Sequence, residues 1–379
     1  MKIEFTEEQE LLKEMVHEFV EKEMRPNVKE FEEKGLFPEE IFKKLAGLGI
    51  MGMSVPSEYG GSNLDLVSSC IVYEEISRVC PSTSITLSVH NCAFCYPIAK
   101  FGSEAQKRRY LVPAGRGDFI GAFSLTEPGA GSDAQGIQTK AERKGNLYIL
   151  NGTKNWITSS SIAGAFIVMA KTSPIAGSKS ISAFIIDKDS PGLKLAKIED
   201  KMGIRSSKTG ELFLEDCIVP ESNLLGEEGI GLKIAFTALD ASRIGVAAQA
   251  VGIAQSAMEE AIKYSKERKA FGKSISEFQA IQFMISEMAT QIEAARLLTY
   301  RAAYLKDQGK QYTKEASMAK LYASEIANRV VYNALQIHGA YGYSKEYLIE
   351  KLFRDARVTT IYEGTSEIQR IVIARRLLQ

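Results

Sequence analysis

Helical and β-prone patterns occupy three separate blocks of this chain. In residues 1 to about 118, and again beyond about 226, apolar residues recur at helical spacing, whereas residues 119–225 contain short β-prone runs between turn-forming residues. Strands grouped together between two groups of helices indicate a compact β-domain inserted between helical parts. The sequence therefore predicts a mainly α fold with a central β-domain, divided into residues 1–118, 119–225 and 226–379.

Local signals within these blocks place most of the elements. Thr6 and Gln9 form a capping-box pattern at the first helix, and Pro26 marks a break in the helical pattern. Lys144-Gly145-Asn146 and Asn151-Gly152 are turn signals in the central block. The predicted helices cover 64–78, 83–101, 103–111, about 230–268, 278–307, 313–336, 346–355 and 366–378. The β-prone runs are 120–125, 147–150, 166–170, 183–186 and 211–214.

The charge balance and the distribution of apolar residues argue against several classes of protein. Lys+Arg and Asp+Glu both number 47 in 379 residues, so the net charge is zero and gives no general attraction to nucleic acid or anionic lipid. No apolar run approaches the ~20 residues of a membrane span. The acidic first ten residues lack the layout of a signal or transit peptide. We therefore expect no nucleic-acid or membrane partner and a cytoplasmic location.

The cysteines do not indicate a disulfide framework or a metal centre. Five are present, an odd number without disulfide-type spacing, which predicts reduced and mostly buried thiols. Cys92 and Cys95 form a C-x-x-C pair near His90, but no second pair or cluster of histidines accompanies them. Because the pair lies in an apolar helical stretch, core packing is the expected role.

A carboxylate near the C-terminus is the strongest candidate for chemistry. Glu363 lies between an apolar, β-prone run (358–362) and Gly364, just ahead of a helical pattern. Removal from water disfavours the charged form of a carboxylate and raises its proton affinity, which suits a general base. The residues alone leave open an ordinary solvated loop glutamate.

Two stretches of the central block have the residues of a ligand-binding loop. Residues 123–133 and 150–160 contain glycines that allow close approach of backbone to a ligand, together with neutral hydrogen-bonding side chains and the single tryptophan, Trp156. This combination suits a large, flat heterocycle with polar edges. Two β-turns with a core tryptophan are the alternative. No G-x-G-x-x-G sequence lies on a strand–helix turn, so a Rossmann-type nicotinamide or flavin site is not expected.

Five stretches in order along the chain resemble the acyl-CoA dehydrogenase family. They are TEPGAGSD (126–133), NGTKNWIT (151–158), ERKAFG (267–272), QIHGAYGY (336–343) and IYEGTSEIQR (361–370), and the likeness extends from about residue 5 to 378. The short-chain, butyryl-CoA-type members are the most similar. The resemblance implies an N-terminal helical domain, a middle β-barrel-like domain and a C-terminal four-helix-type bundle, with FAD held between the β-domain and the bundle.

The resemblance also implies a reaction. Glu363 would abstract the α-proton of a short-chain acyl-CoA while hydride passes to flavin N5, which gives the trans-2-enoyl-CoA. The backbone N–H of Glu363 and a ribityl hydroxyl of FAD would hold the thioester oxygen. Some members place the base just before an arginine on the long helix, but here Ser242 precedes Arg243 and cannot serve. The electrons would pass to an electron-transferring flavoprotein, because oxidases of this type are usually longer.

Individual site residues follow from the matched motifs. A neighbouring subunit would grip the ADP part of FAD, which implies at least a dimer and usually a dimer of dimers. Arg268 alone would otherwise be interpreted as a surface charge at a helix end, Arg243 as half of a structural ion pair, and Glu367 as a helix N-terminal charge. The implied flavin contacts are Leu125, Thr126, Ser132, Trp156, Thr158, Thr365 and Glu367, with Arg268, Phe271, Gln279, Gln336 and Gly339 on the ADP part. The implied substrate contacts are Ser132, Asp240, Arg243 and Gly364.

The acyl-chain preference stays open at this stage. Val89, Phe94 and Leu239 are candidates for shortening the pocket, and medium or short branched acyl groups are alternatives to butyryl. The absence of lysine and arginine between Pro81 and Pro97 disfavours a substrate with a second carboxylate. A non-catalytic relative that binds flavin or acyl-CoA is the other alternative, against which the presence of Glu363 argues.

Overall fold

The computed structural model describes residues 5–173 and 177–379 and confirms a mainly α fold with a central β-domain. Residues 1–4, which the first predicted block includes, lie outside the described residues. None of the described helices is long and apolar enough to cross a lipid bilayer.

The first part of the chain is helical, as predicted. Thr6 and Gln9 form the capping box, with reciprocal hydrogen bonds of 3.2 and 3.1 Å. The chain turns after Met24, at the predicted break around Pro26. π-helical turns at Val20–Met24, Val89–Cys95 and Lys107–Leu111 join α-helical segments. The helices are α1 (Glu7–Phe19), α2 (Val28–Lys34), α3 (Glu39–Gly47), α4 (Leu66–Ser77), α5 (Pro81–Ser88), α6 (Tyr96–Phe101), α7 (Glu104–Gln106) and α8 (Val112–Arg116).

The central part forms one eight-stranded sheet. Its strands are β1 (Ile120–Ser124), β2 (Lys140–Lys144), β3 (Leu147–Thr158), β4 (Ala163–Lys171), β5 (Ile181–Asp187), β6 (Leu193–Ile198), β7 (Thr209–Pro220) and β8 (Leu224–Leu225). The order is β6-β7-β3-β2-β4-β5-β8, with β1 parallel to β4. Along β4, Ile167 and Met169 face the helices, whereas Phe166 and Val168 face the interior of the β-domain. Burial on both faces explains the continuous apolar run of this strand.

Two features of the sheet differ from the sequence prediction. Asn151-Gly152 does not form a turn, because β3 continues through it with a register shift between Leu150 and Gly152. Gly152 has a φ of 157°, and a Cβ at this position would lie 2.4 Å from the Thr139 hydroxyl, so the glycine serves a β-bulge. The strands β2 and β6 were not predicted, because charged and exposed residues dominate them and hide the alternation.

The C-terminal part is built on one long helix, α9 (Gly231–Glu267), about 55 Å long at 1.5 Å per residue. It contacts helices of the N-terminal part, the sheet and the remaining helices. A Cβ on Gly252 would lie 2.2 Å from the carbonyl oxygen of Glu74, so the glycine permits the close packing of α9 against α4. The other elements are α10 (Gln279–Asp307), α11 (Thr313–His338), α12 (Leu348–Ala356), α13 (Ser366–Leu378) and a short hairpin of β9 (Lys269–Ala270) and β10 (Lys273–Ser274).

Candidate active site

Glu363 lies at the apex of a strained turn between α12 and α13. Its φ is 54° and that of Gly364 is 95°, both in the left-handed region. The preceding run, 358–362, is not a strand, because the amides of Ile361 and Tyr362 bond to the Val358 carbonyl oxygen and make a 3₁₀-type turn. A non-glycine residue at positive φ is disfavoured and persists where its surroundings hold it. We call residues 361–364 the Glu363 turn.

Side chains from three helices hold the two carbonyl groups of this turn. Arg243 on α9 donates through Nε to the Glu363 carbonyl oxygen at 3.2 Å. Lys320 on α11 donates through Nζ to the Gly364 carbonyl oxygen at 2.7 Å. Gln369 on α13 donates through Nε2 to both, at 3.2 and 2.9 Å. The main chain at Glu363 is therefore fixed by side chains of three helices, two of which are distant in sequence.

The carboxyl group of Glu363 lies in surroundings that raise its pKa. Its Oε2 is buried and has no hydrogen-bond partner among the residues that the structure describes. Burial raises the pKa of Glu363, and the opposing influences of Arg243, Ser242 and Lys320 do not cancel that effect. A carboxyl group with a raised pKa and an unpartnered oxygen has the properties of a general base.

An apolar cluster lies beside the turn. Tyr362 and Val358 pack against it, and the Tyr362 hydroxyl donates to the Gln249 side-chain oxygen. Phe123, near the end of β1, packs against the same cluster and so brings the β-domain to the turn. We call it the Val89 cluster; its buried members are Ile85, Val89, Ala93, Ile204, Ala238 and Val246.

The structure separates the three residues considered for pocket length. Val89 belongs to the cluster beside the turn. Phe94 packs elsewhere, against the backbone of Gly121, where an added Cβ would lie 2.1 Å from the phenyl ring. Leu239 packs against the same core as Phe94. Of the three candidates for limiting the length of the pocket, Val89 is the one that belongs to the apolar cluster beside the Glu363 turn.

Arg243 is the buried arginine expected on the long helix. Its Nη1 lies 2.7 Å from the Asp240 carboxylate, and Asp240 also accepts a hydrogen bond of 2.6 Å from the Thr313 hydroxyl. Burial raises the pKa of Asp240 against the opposing charge of Arg243. The structural ion pair considered from the sequence is present, and the same guanidinium also reaches Glu363.

In the β-domain, a buried ion pair fixes the two polar loop stretches to each other. Lys154 is fully buried and donates to Glu127 at 2.7 Å and to the Leu125 carbonyl oxygen at 3.2 Å. Burial lowers the pKa of Lys154 to about 8, against the opposing charge of Glu127. The Asn155 amide donates to the Thr126 carbonyl oxygen at 2.9 Å. Residues 125–127 and 154–155 therefore form one rigid edge.

Trp156 projects from this edge and is not a core residue. A register shift in β3 between Lys154 and Ile157 marks a second bulge, where Trp156 has a φ of 58°. Its side chain is 57% exposed. Bulges commonly redirect a side chain near functional sites. The alternative of a core tryptophan is therefore wrong.

The surroundings of Trp156 fit a flat ligand with polar edges. Thr126 and Thr158 are partly exposed, Ser132 is exposed, and Leu125 is nearly buried. The buried hydroxyls of Ser124 and Ser159 have no partner within the described ranges, 5–173 and 177–379. These groups are neutral, so they can hydrogen-bond the edges of a heterocycle without imposing a charge.

A second group of predicted residues lies at the far end of the bundle. Arg268 follows the last residue of α9, 25 positions after Arg243, which corresponds to about 37 Å along a helix. Its guanidinium lies 5.8 Å from the ring of Tyr341, next to the end of α11. Phe271 is 95% exposed at a φ of 51°. Gln279, Gln336 and Gly339 are exposed at the start of α10 and the end of α11.

The remaining predicted residues lie around the start of α13. Thr365 caps this helix by accepting a hydrogen bond from the Ile368 amide at 3.4 Å. Glu367 is exposed in the first turn, and its own backbone amide lowers the pKa of its carboxyl. Gly364 has a φ of 95°, a conformation in which a residue with a Cβ is strained, so glycine is favoured here. Glu367 thus has the position expected of a helix N-terminal charge.

Several buried polar residues of the site were not predicted from the sequence. Lys320 and Gln369 hold the Glu363 turn, and Gln249 holds Tyr362. Lys154 and Glu127 hold the edge formed by residues 125–127 and 154–155. The available signal was a polar side chain within a run of small or apolar helical residues, as at Lys320 in ASMAKLYA. The partners that explain such a residue are distant in sequence.

The Cys92–Cys95 segment is part of the core. His90 accepts a hydrogen bond from the Gly121 amide at 3.0 Å, and its other ring nitrogen lies 3.1 Å from the Met51 carbonyl oxygen. Burial lowers the pKa of His90 to about 4. All five cysteines are free and buried. Among the described residues, no group of three His, Cys, Asp or Glu side chains could hold a metal ion.

Comparisons with known proteins agree with this arrangement. Family models match over three consecutive ranges: acyl-CoA dehydrogenase N-terminal domain (6–118), middle domain (122–217) and C-terminal domain (229–378). The mitochondrial short-chain specific acyl-CoA dehydrogenase of Mus musculus is 48% identical, covering 100% of this chain and 92% of that protein. The acryloyl-CoA reductase (NADH) of Anaerotignum propionicum is 47% identical, with 100% and 96% covered.

The backbone comparison leads to the same group of proteins. The structure of butyryl-CoA dehydrogenase from Megasphaera elsdenii superposes with a TM-score of 0.98 at 45% identity, and 100% of each chain is covered. The resemblance inferred from the five motifs is thereby confirmed. This chain belongs to the acyl-CoA dehydrogenase family of oxidoreductases.

Proposed function

We propose that this protein catalyses the α,β-dehydrogenation of a short-chain acyl-CoA to the trans-2-enoyl-CoA, with Glu363 as the base. The observation that carries the proposal is the buried, unpartnered Oε2 of Glu363, in a left-handed turn beside an apolar cluster. Burial keeps its pKa high, so the carboxylate binds the α-proton strongly once it has taken it.

The protein's own groups account for the proton-transfer half of the reaction. Removal of the α-proton leaves negative charge on the thioester oxygen, which needs a fixed hydrogen-bond donor. We assign this role to the backbone N–H of Glu363, whose turn is fixed by Arg243, Lys320 and Gln369. Bound FAD would supply the electron sink for the hydride that leaves the β-carbon.

The residues around Trp156 are the proposed flavin-binding edge. Their neutral hydrogen-bonding groups and the exposed indole fit an isoalloxazine ring, and the buried Lys154–Glu127 pair keeps their backbone rigid. On the side of the bundle, the start of α13 completes the site. The proposed contacts of this chain with the flavin are Leu125, Thr126, Ser132, Trp156, Thr158, Thr365 and Glu367.

The second group of residues is proposed to bind the ADP part of the FAD of another subunit. Arg268 lies about 37 Å along α9 from Arg243, too far for one dinucleotide to contact both within one chain. Arg268 suits a diphosphate, since a guanidinium pairs well with phosphate oxygens. The exposed Phe271, Gln279, Gln336 and Gly339 belong to the same surface. The proposal requires at least a dimer, and we propose a dimer of dimers.

The substrate end of the site is proposed to involve Ser132, Asp240, Arg243 and Gly364. A short acyl chain is supported by the side chains of the Val89 cluster, where Ile85, Val89 and Ile204 are bulky and Tyr362 is tied to Gln249. The sequence between Pro81 and Pro97 contains no lysine or arginine, which argues against a dicarboxylic acyl group. Medium or short branched acyl groups are the alternatives.

Further parts of the proposal concern organisation and partners. The family-model ranges support domain boundaries near 118/119 and 225/226. We propose an electron-transferring flavoprotein as the electron acceptor. Because a base that removes a proton also returns it in the reverse direction, the same residues serve enoyl-CoA reduction. The cytoplasmic location stays a prediction from the sequence.

The test is an anaerobic titration of the FAD-containing protein with butyryl-, isovaleryl- and octanoyl-CoA, with the products identified by mass spectrometry. We expect butyryl-CoA to bleach the oxidised flavin band and to yield the trans-2-enoyl thioester. Preference for another thioester would correct the chain length. Bound flavin that none of the three thioesters bleaches would favour the non-catalytic alternative.

A further inference from the structure

A buried lysine lies behind the Glu363 turn. Lys320 on α11 is fully buried, and its Nζ donates to the Gly364 carbonyl oxygen at 2.7 Å. Burial of an ammonium group is costly unless nearby groups compensate it. A methionine of similar length would fill the space without that cost. The contact with the turn therefore gives Lys320 a specific reason to be a lysine.

The charged groups around Lys320 come from several elements. Glu363 lies in the turn itself, Arg243 on α9, Glu325 on α11 and Glu367 on α13. Arg243 is paired with Asp240 at 2.7 Å. Burial lowers the pKa of Lys320 to about 7, against the opposing charge of Glu363. Its charge therefore changes near neutral pH, beside the carboxylate.

Resting on the proposed function, we propose that Lys320 is a positioning residue of the reaction. It fixes the Gly364 carbonyl group and thereby the direction of the Glu363 side chain, and its charge offsets part of the effect of burial on the Glu363 carboxylate. A neutral side chain at position 320 removes both the hydrogen bond and the charge, whereas another cation with hydrogen-bond donors keeps both.

The experiment compares Lys320→Met and Lys320→Arg with the wild-type holoenzyme. The rate of flavin reduction by butyryl-CoA is measured anaerobically between pH 5.5 and 9.5. The acid limb of the profile is the pH range in which the rate falls as the solution becomes more acidic. We expect Lys320→Met to shift this limb to higher pH by about one unit, because a positive charge near the base has been removed. We expect its plateau to fall roughly tenfold, because the turn is less well fixed. Lys320→Arg should keep the acid limb of the wild type.

A second readout does not depend on activity. The carboxyl infrared band of Glu363, assigned by its absence in Glu363→Gln, gives the pKa of Glu363 directly, and we expect this pKa to rise in Lys320→Met. Arg329→Gln is the matched control: it removes an exposed charge from the same helix that is not among the groups named around Lys320, so both readouts should stay at wild-type values. Retained FAD absorbance shows that each variant is folded.

The outcomes separate this inference from the proposed function. An acid limb and a Glu363 pKa that stay unchanged in a folded Lys320→Met protein would overturn the role of Lys320, even if that protein were less stable. A wild-type flavin that no thioester bleaches would refute the proposed function. In that case, a raised Glu363 pKa in Lys320→Met would still support the coupling of Lys320 to Glu363.

Discussion

Arg243 donates a hydrogen bond through Nε to the main-chain carbonyl oxygen of Glu363, 3.2 Å away. The same guanidinium is paired with Asp240 at 2.7 Å, so its orientation is set before any substrate binds. One arginine thus connects the long helix to the turn that carries the proposed base. We therefore expect Arg243 to act by holding the main chain at Glu363 as well as through its positive charge.

Replacement of Arg243 by lysine tests this connection. Lysine keeps a positive charge near Asp240 but lacks the planar set of donors that reaches both partners. We expect flavin reduction by butyryl-CoA to slow roughly 10- to 100-fold, since small displacements of a reacting group have effects of this size. The exposed Arg370, which pairs with Glu325 at 2.6 Å, provides the control. If Arg243→Lys were as fast as Arg370→Lys, the connection would have no role in catalysis.

Trp156 offers a test of the flavin site that needs no substrate. Stacking of an aromatic ring contributes about 0.5–1.5 kcal/mol, so Trp156→Ala should bind FAD roughly three- to tenfold more weakly. Trp156→Phe should retain most of the affinity. The measurement is reconstitution of FAD-depleted protein with FAD, followed by absorbance. Phe236→Ala, which removes another partly exposed aromatic side chain, should bind FAD as the wild type does. Equal affinities for Trp156→Ala and wild type would place the flavin elsewhere.

Hybrid oligomers test whether Arg268 serves the flavin of a partner subunit. Arg268→Glu and Glu363→Gln should each be inactive alone, the first through loss of FAD and the second through loss of the base. A hybrid dimer has one site with both residues intact, because Arg268 and Glu363 of that site come from different chains. Random pairing of an equal mixture should restore about a quarter of the wild-type activity. A mixture as inactive as its parents would show that both residues act within one chain.

The buried carboxyl group of Glu363 should also lower the free energy of unfolding of this protein at neutral pH. Burial raises its pKa in the folded state above the unfolded value of 4.5, so the folded state binds more protons in the interval between the two values. Stability is therefore lost as the pH rises through that interval. At pH 8 we expect Glu363→Gln to have a higher free energy of unfolding than wild type, and the difference to vanish near the ordinary pKa of a glutamate.

Urea unfolding of the two proteins between pH 4 and 8 measures this difference. The exposed Glu367 provides a control, because Glu367→Gln should not show the same dependence on pH. A Glu363→Gln protein that is less stable than wild type at pH 8 would mean that the carboxylate is compensated in the folded state. The electrostatic basis of the proposed base would then be wrong.

The sequence predicts the architecture well because apolar periodicity is a local property. The limits of the long helices were expected within a few residues, as for 313–336 against Thr313–His338. The errors lie where local signals and tertiary structure disagree. Asn151-Gly152 has the composition of a hairpin turn, yet its glycine serves a bulge within β3. The run 358–362 is β-prone in composition, although no strand is predicted there, and it forms a 3₁₀-type turn.

The candidate site was predictable in part. The position of Glu363 before a helix and the exposed polar loop around Trp156 follow from motifs in the sequence. The residues that hold the Glu363 turn do not follow from motifs in the sequence, because Arg243, Lys320 and Gln369 reach the turn from three different helices. The sequence also gave no reason for the left-handed backbone of Glu363, which these three contacts maintain.

The most direct test of the central proposal is rapid anaerobic mixing of butyryl-CoA with wild-type and Glu363→Gln holoenzymes. Glutamine keeps the size and polarity of the side chain but cannot accept the α-proton. We expect the wild-type flavin band to bleach and the variant, with FAD still bound, to react at least about 10²–10⁴-fold more slowly. Bleaching of the variant at the wild-type rate would contradict the assignment of Glu363 as the base.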